Sequence, residues 1–492
     1  MQNRFFKKIF AFIAVCIVLI SYVLPTAMYK SAGSTISNEA EEHILSQLRS
    51  ARIPNAAIAI IQDGETSYIL KDSSYDTLFQ TASVSKSFTG FGVLLLEDMG
   101  LLSINDPVNL HLPWFEVKYR GVPVSHEDIT IYNLLHHTSG LTSNEGRFPR
   151  AAATETTDEF ISRLTGIELA FYPSTRFVYG NINYVILGLI IEAVSGQSYD
   201  EYMTQHVLHP LNLYNTFTDQ ERAHETGRVA GGHNRGFLQI IPHESRAVHP
   251  THIPTGGIYS SIADLARWAG IHLGVIDIPE QLSRVAQRSH IHHHAFDAPF
   301  TDAGNFYAAG WRIDLENSFI EHSGQYPGYS ATIRMFPQSN TAVVVLSSLR
   351  YGSMERLGEL ALDAVENGNF INRGFDFFEI IDMVFTILTV VGIVYAVMLI
   401  RLFIKLYKRL RSGERIGGNF SSITIKGLID PIISIAIVIA VYIVGPAIFD
   451  TTIGMMLLNW PVSLTTAIIG LWVSTVYSLC SWFAKTFVQK GA

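Results

Sequence analysis

The chain has 492 residues, a formal net charge of −8 at pH 7 and two cysteines, Cys16 and Cys480, both in long apolar runs. The charge weighs against nucleic acid as a partner, since nothing basic enough exists to track a phosphate backbone. The cysteine placement excludes a disulfide scaffold or a thiolate metal site in the middle of the chain, so stability there must come from a packed core.

In chain order, residues 9–28 form an apolar stretch about one bilayer wide, preceded by Arg4, Lys7 and Lys8. This suits a signal peptide or an uncleaved signal anchor over 1–30, and the lack of a clean A-x-A site favours the anchor. Residues 57–61 and 67–70 are β-rich runs around Asp63-Gly64, a hairpin signal. Helical spacing follows over 84–98 and again over 182–194. Residues 331–336 and 341–347 flank the turn Pro337-Gln338-Ser339-Asn340, and 354–367 reads as a helix. Strands at both ends of a mainly helical middle predict an α+β domain over 40–370: an antiparallel sheet flanked by helices, plus an all-α lobe, with a site in the cleft between them.

Three further apolar runs, at about 380–400, 428–449 and 461–484, are each near the ~20 residues that cross a hydrocarbon core as a helix. Three transmembrane helices are therefore expected over 376–486. The stretch 401–426 holds Arg401, Lys405, Lys408, Arg409, Arg411, Arg415 and Lys426 against the single acid Glu414. That charge predicts a cytoplasmic loop and puts the large middle region on the outer face of a bacterial cell membrane, with the lipid bilayer as a partner. Asp376, Glu379 and Asp382 would then lie at the outer end of a span, where charge needs no functional reason. A transporter is disfavoured, because it would need more spans and intramembrane charges.

Three constellations carry chemistry. Ser83-Val84-Ser85-Lys86 is Ser-x-x-Lys at a helix start; residues three apart share a face, so a lysine kept neutral can take the Ser83 proton. Taken alone, the tetrad equally suits a capping serine and a solvated lysine. Tyr179-Gly180-Asn181 offers a phenol that can relay protons and an amide that can hold a substrate carbonyl or steady the lysine, or else a core tyrosine and a helix cap. The segment Glu321-His322-Ser323-Gly324-Gln325 precedes a strand. Gly324 would let substrate approach its backbone, and the amide of Gln325 with that of Ser83 could face a tetrahedral oxyanion; a plain Gly- and Pro-rich turn reads equally well.

In this order the three sites resemble the serine β-lactamase and penicillin-binding-protein superfamily, in particular its class C branch, with Ser-x-x-Lys, Tyr-x-Asn and a Lys/His-x-Gly triplet. Residues 102–108, 134–141 and 255–261 look like the same family. The resemblance implies that Ser83 is acylated, that Lys86 and Tyr179 share general base and acid duty, and that Asn181 orients both the lysine and the substrate amide. It places His322 and Gly324 along the strand edge, and it implies an α/β lobe against an all-α lobe with no metal or organic cofactor. The substrate class it implies is a small peptide, amide or ester.

The triplet here is His322-Ser323-Gly324, where a lysine would supply a fixed charge for a substrate carboxylate. A histidine with an ordinary pKa near ~6.5 is largely neutral at pH 7. Histidine at this place is common in the family's esterases and D-aminopeptidases, which points away from a dedicated β-lactamase. The domain with its apolar C-terminal runs resembles two subgroups, FmtA-like envelope proteins and prodrug-activating peptidases that trim an N-acyl-D-amino acid from nonribosomal peptides, and an envelope role is ranked first. A catalytically idle protein that binds muropeptides or β-lactams is the reading from another class. His290, His292, His293 and His294 read as an exposed loop rather than a metal site, and His136 and His137 as structural hydrogen-bonding residues.

Overall fold

The computed structural model describes residues 36–142, 155–244, 248–291, 305–412, 415–416, 425–448, 456–457 and 460–489. The N-terminal apolar stretch and His292–294 lie outside them.

Helix α1 (Asn38–Ser50) leads into strands β1 (Ala56–Gln62) and β2 (Glu65–Lys71), joined at Asp63-Gly64. Strands β3 (Asn305–Ala308), β4 (Trp311–Asp314), β5 (Phe319–Tyr326), β6 (Tyr329–Phe336) and β7 (Thr341–Ser347) complete a seven-stranded sheet of order β3-β4-β5-β6-β7-β1-β2, antiparallel throughout. Its first and last segments pair directly, Ala56 opposite Ser347, which is why hairpins read far apart in sequence belong to one sheet.

Both faces are covered, and strand alternation divides the core between them. Ile58, Ile60, Val343 and Val345 pack under α1 and α5 (Met354–Asn367). Ala57, Ala59, Ile61, Ile333 and Val344 face the other way, in the cluster that includes Phe88 and Phe91 of α2 (Ser85–Asp98), Ile186 of α3 (Asn181–Ser195) and Trp268 of α4 (Ile262–Leu273). The helical lobe therefore shares one continuous core with the inner face of the sheet, and the expected α+β architecture is observed.

Among the described residues two helices are long and apolar enough to cross a membrane, α6 (Phe377–Arg411) and α8 (Ser463–Phe487). Helix α7 (Ile425–Ile448), 24 residues long, lies between them in the chain where another of the three expected spans falls. Helices α6 and α8 pack closely because glycines meet: a Cβ at Gly392 would lie 2.3 Å from the Gly470 Cα. Arg401 to Arg411, expected in a loop, are the last turns of α6.

The acids at the start of α6 are committed partners, which corrects the expectation that they are idle. Asp376 caps the helix and accepts from the Gly352 amide at 2.8 Å. Glu379 pairs with Arg235 and Arg373, each at 2.8 Å. Asp382, 2 % exposed, accepts from the Phe237 and Leu238 amides at 2.9 and 2.7 Å and from the Ser463 hydroxyl. The hairpin His233–Gly236 and Gln239–Pro242 is thereby fastened to α6, and the Val462 amide, just before α8, donates to Arg235 O at 3.0 Å.

Candidate active site

The Thr81-Ala82-Ser83 turn between β-sheet and α2 is built against its local preference. Ala82 takes a φ of 48°, left-handed backbone that costs a non-glycine residue about 1–3 kcal/mol. Neighbours hold it there. The Thr81 amide and hydroxyl both donate to Ile258 O, at 2.8 and 3.0 Å, and the Ser85 hydroxyl accepts from the Ile258 amide at 3.2 Å. The run Thr255-Gly256-Gly257-Ile258 thus works as a brace for the nucleophile turn. Ser83 remains partly accessible at the head of a short 3-10 turn that runs into α2.

Lys86, one turn on, has no solvent exposure. Its Nζ lies 2.7 Å from Asn181 Oδ1, 2.7 Å from Thr255 O and 3.2 Å from Ser83 Oγ. Burial, and after it the field of Arg312, holds the amine well below its ordinary pKa. A neutral amine has two N–H bonds and one lone pair. The two oxygens that can only accept, Asn181 Oδ1 and Thr255 O, take the N–H bonds, and the lone pair is left for the Ser83 hydroxyl proton.

Tyr179 closes the other side. Its ring is partly exposed but its hydroxyl is buried, close to Ser83. Burial pushes the phenol up to about 12, with Ser83 pulling the opposite way, so the group is a phenol at neutral pH. Lys86 Nζ sits 4.9 Å from the ring centroid. Asn181, solvent-exposed at the start of α3, reaches Lys86 with its side-chain oxygen.

On β5, Gly324 is pressed against the nucleophile turn. A Cβ there would lie 2.5 Å from Ser83 N and 2.7 Å from Thr81 O, so only glycine permits this approach. Gln325 is exposed and its side chain donates weakly to Gly352 O at 3.4 Å. His322 departs from expectation. Instead of lining the strand edge it is fully buried, with Nδ1 donating to Ser323 O at 2.8 Å and Nε2 accepting from the Tyr307 hydroxyl at 2.9 Å. A carbonyl can only accept, so the ring proton sits on Nδ1 and no N–H is left for a substrate. Burial first, then the charge of Arg312, holds its pKa well below the ordinary value.

The structure thus brings Ser83, Lys86, Tyr179, Asn181 and Gly324 together and puts His322 behind them. Reading the sequence missed the Thr255 carbonyl, Tyr307 and Arg312. The first is a main-chain atom, and Tyr307 and Arg312 come from β3 and β4, whose pairing next to β5 no local pattern shows. His290, read as exposed loop, is instead half-buried, with its Nε2 3.0 Å from His272 Nδ1.

The fold and this serine–lysine–tyrosine arrangement define the β-lactamase and penicillin-binding-protein superfamily of serine hydrolases. A family model described as Beta-lactamase matches residues 40–366, and the chain belongs to that family. Protein flp of Staphylococcus aureus (strain MW2) is 26 % identical over 444 residues, covering 86 % of this chain and 85 % of the relative. Penicillin-binding protein 4* of Bacillus subtilis (strain 168) is 28 % identical over 297 residues, 56 % of this chain and 61 % of the relative. Among solved structures, a class C β-lactamase aligns with TM-score 0.57 at 19 % identity, covering 68 % of this chain and 97 % of that one. The octameric penicillin-binding protein homologue from Pyrococcus abyssi aligns with TM-score 0.56 at 25 % identity, covering 66 % and 76 %.

Proposed function

We propose that this protein is a membrane-anchored serine hydrolase that acts through an acyl-enzyme on uncharged peptide, amide or ester groups at the outer face of a bacterial cell membrane. The observation that carries the reading is the Lys86 proton arrangement: two acceptor oxygens occupy its N–H bonds and its lone pair is aimed at Ser83. Ser83 Oγ attacks the substrate carbonyl as its proton passes to Lys86 Nζ. The Ser83 and Gln325 amides receive the oxyanion. Collapse of the tetrahedral adduct breaks the scissile bond, and Tyr179 passes a proton to the leaving group and is reprotonated from Lys86. Water then attacks the ester on Ser83 by the same route and frees the acid.

Apolar helices α6 and α8 support the membrane anchor, and Arg401, Lys405, Lys408, Arg409 and Arg411 at the far end of α6 support an outward-facing domain. The intact proton route argues against an idle binding protein. Intact-mass analysis after a serine-reactive phosphonate tests the reading. One adduct in the wild type and none in Ser83→Ala is expected, and labelling that persists in Ser83→Ala overturns it. Alkaline phosphatase fused at residue 360 is expected to be active and at residue 415 inactive, and the reverse pattern overturns the orientation.

A further inference from the structure

Tyr179 is asked to move protons, and its hydroxyl meets the same serine that it serves. Its position must come from its backbone and from what packs on its ring. Both lead to His137. The His137 carbonyl accepts from the Val178 amide at 3.0 Å, and its ring Nδ1 accepts from the Gly180 amide at 3.3 Å. The residues on either side of Tyr179 are therefore held by one histidine. The ring itself lies 4.5 Å from the Tyr179 ring, centroid to centroid.

The protonation state follows from the donors. A backbone amide can only donate, so Nδ1 carries no proton, and Asn183 Nδ2, 3.1 Å away, donates to it as well. Asn183 also donates to Gly180 O at 3.1 Å and accepts from the Ser139 hydroxyl at 2.6 Å, which locks its amide orientation. The imidazole proton is then on Nε2, which is buried with no hydrogen-bond partner among the described residues. His137 meets these demands with a φ of 56°, uncommon for a non-glycine residue. A left-handed backbone costs stability, and a core residue chosen for packing alone would not adopt one.

We infer that His137 is a positioning residue for proton transfer, holding the Val178-Tyr179-Gly180 turn so that the Tyr179 phenol faces Ser83. The inference rests on the serine-hydrolase reading and deepens it. Asparagine suits the test, because its side-chain oxygen can take the place of Nδ1 and it tolerates left-handed backbone. The probe is p-nitrophenyl butyrate hydrolysis by the full-length protein, with kcat and KM measured for wild type, His137→Leu, His137→Asn, Tyr179→Phe and Ser83→Ala. In His137→Leu we expect kcat to fall by roughly 10- to 100-fold, the scale of a small misplacement of a reacting group, with KM little changed, and His137→Asn to recover most of the loss. A folded His137→Leu with wild-type kcat overturns the role. If His137→Leu does not fold, His137→Asn decides alone: near-wild-type kcat supports the role, and a folded variant as slow as Tyr179→Phe overturns it. Full activity in Ser83→Ala would instead overturn the hydrolase reading itself, so the two failures are distinct.

Discussion

The hydroxyl of Tyr307 donates to Nε2 of His322 at 2.9 Å while Nδ1 of the same ring donates to Ser323 O, so the imidazole is spent on its own protein. In this family's usual triplet a lysine stands there as a point charge, worth on the order of 1–3 kcal/mol to a substrate carboxylate. Its loss corresponds to roughly 10- to 100-fold in rate. A chromogenic cephalosporin is therefore expected to turn over poorly beside a p-nitrophenyl ester. A ring at its ordinary pKa would begin to charge near pH ~6 and recover the carboxylate substrate. With burial holding the pKa well below that, the ratio of the two kcat/KM values should stay flat between about pH 7.5 and 6. A rising cephalosporin share over that range would contradict the buried, neutral assignment.

Tyr307→Phe removes the hydroxyl that donates to His322 Nε2. A buried acceptor left unpaired costs about 1–3 kcal/mol, so thermal unfolding should occur several degrees lower. An unchanged midpoint would mean that the hydroxyl contributes nothing there.

The pH profile reads Lys86 directly. An amine held well below its ordinary 10.5 is already unprotonated at lower pH, so kcat/KM for an ester should reach its plateau far below pH 10. Burial is the larger cause and remains in any neighbour's variant. Arg312 is the second, and Arg312→Gln should let the Lys86 pKa rise, moving the acid limb upward and lowering the rate at pH 7. A limb that does not move would remove Arg312 from the electrostatics of the site.

Gly324→Ala should abolish acylation with little effect on the sheet. The new Cβ would meet Ser83 N at 2.5 Å and Thr81 O at 2.7 Å, main-chain atoms that cannot swing away. A loss of ~100-fold or more in phosphonate labelling is expected; labelling at the wild-type rate would show that β5 can retreat freely.

Asp382→Ala leaves the Phe237 and Leu238 amides without their carboxylate. Hydrogen bonds to a charged acceptor are worth about 1.5–3 kcal/mol, and the hairpin should loosen from α6. Faster limited proteolysis at residues 237–238 in detergent, with ester turnover retained, would show this. Equal cleavage rates would contradict the fastening.

Much of this architecture is visible in the chain before it folds. Residues 354–367 carry a complete amphipathic period and form α5 with those bounds. The turn dipeptide Asp63-Gly64 marks its hairpin, and Ser83 and Lys86 stand one helical turn apart. The remainder depends on atoms that sequence patterns do not name. Lys86 is oriented in part by the Thr255 carbonyl 169 positions away, and any residue could have supplied it. His322 looks like a ligand handle until the register of β3, β4 and β5 brings Tyr307 onto it. Asp376, Glu379 and Asp382 resemble stray charges at a membrane boundary because their partners, Gly352, Arg235 and the Phe237 amide, lie on other elements.

The joint between the hydrolase domain and α6 is short and sewn down. Ile371 O meets His43 Nε2 at 3.1 Å, Asn372 takes Gln47 Nε2 at 3.0 Å, and Arg373 reaches Ser50 and Glu379. Such a joint is a pedestal and not a leash. A flexible tether would let the catalytic serine sweep a hemisphere and meet targets at many heights, whereas a pedestal confines it to one depth and one heading. For the membrane-anchored hydrolase proposed above, the bond cut is then selected by geometry before chemistry: a bond presented at the wrong altitude above the lipid is never met, however reactive it is.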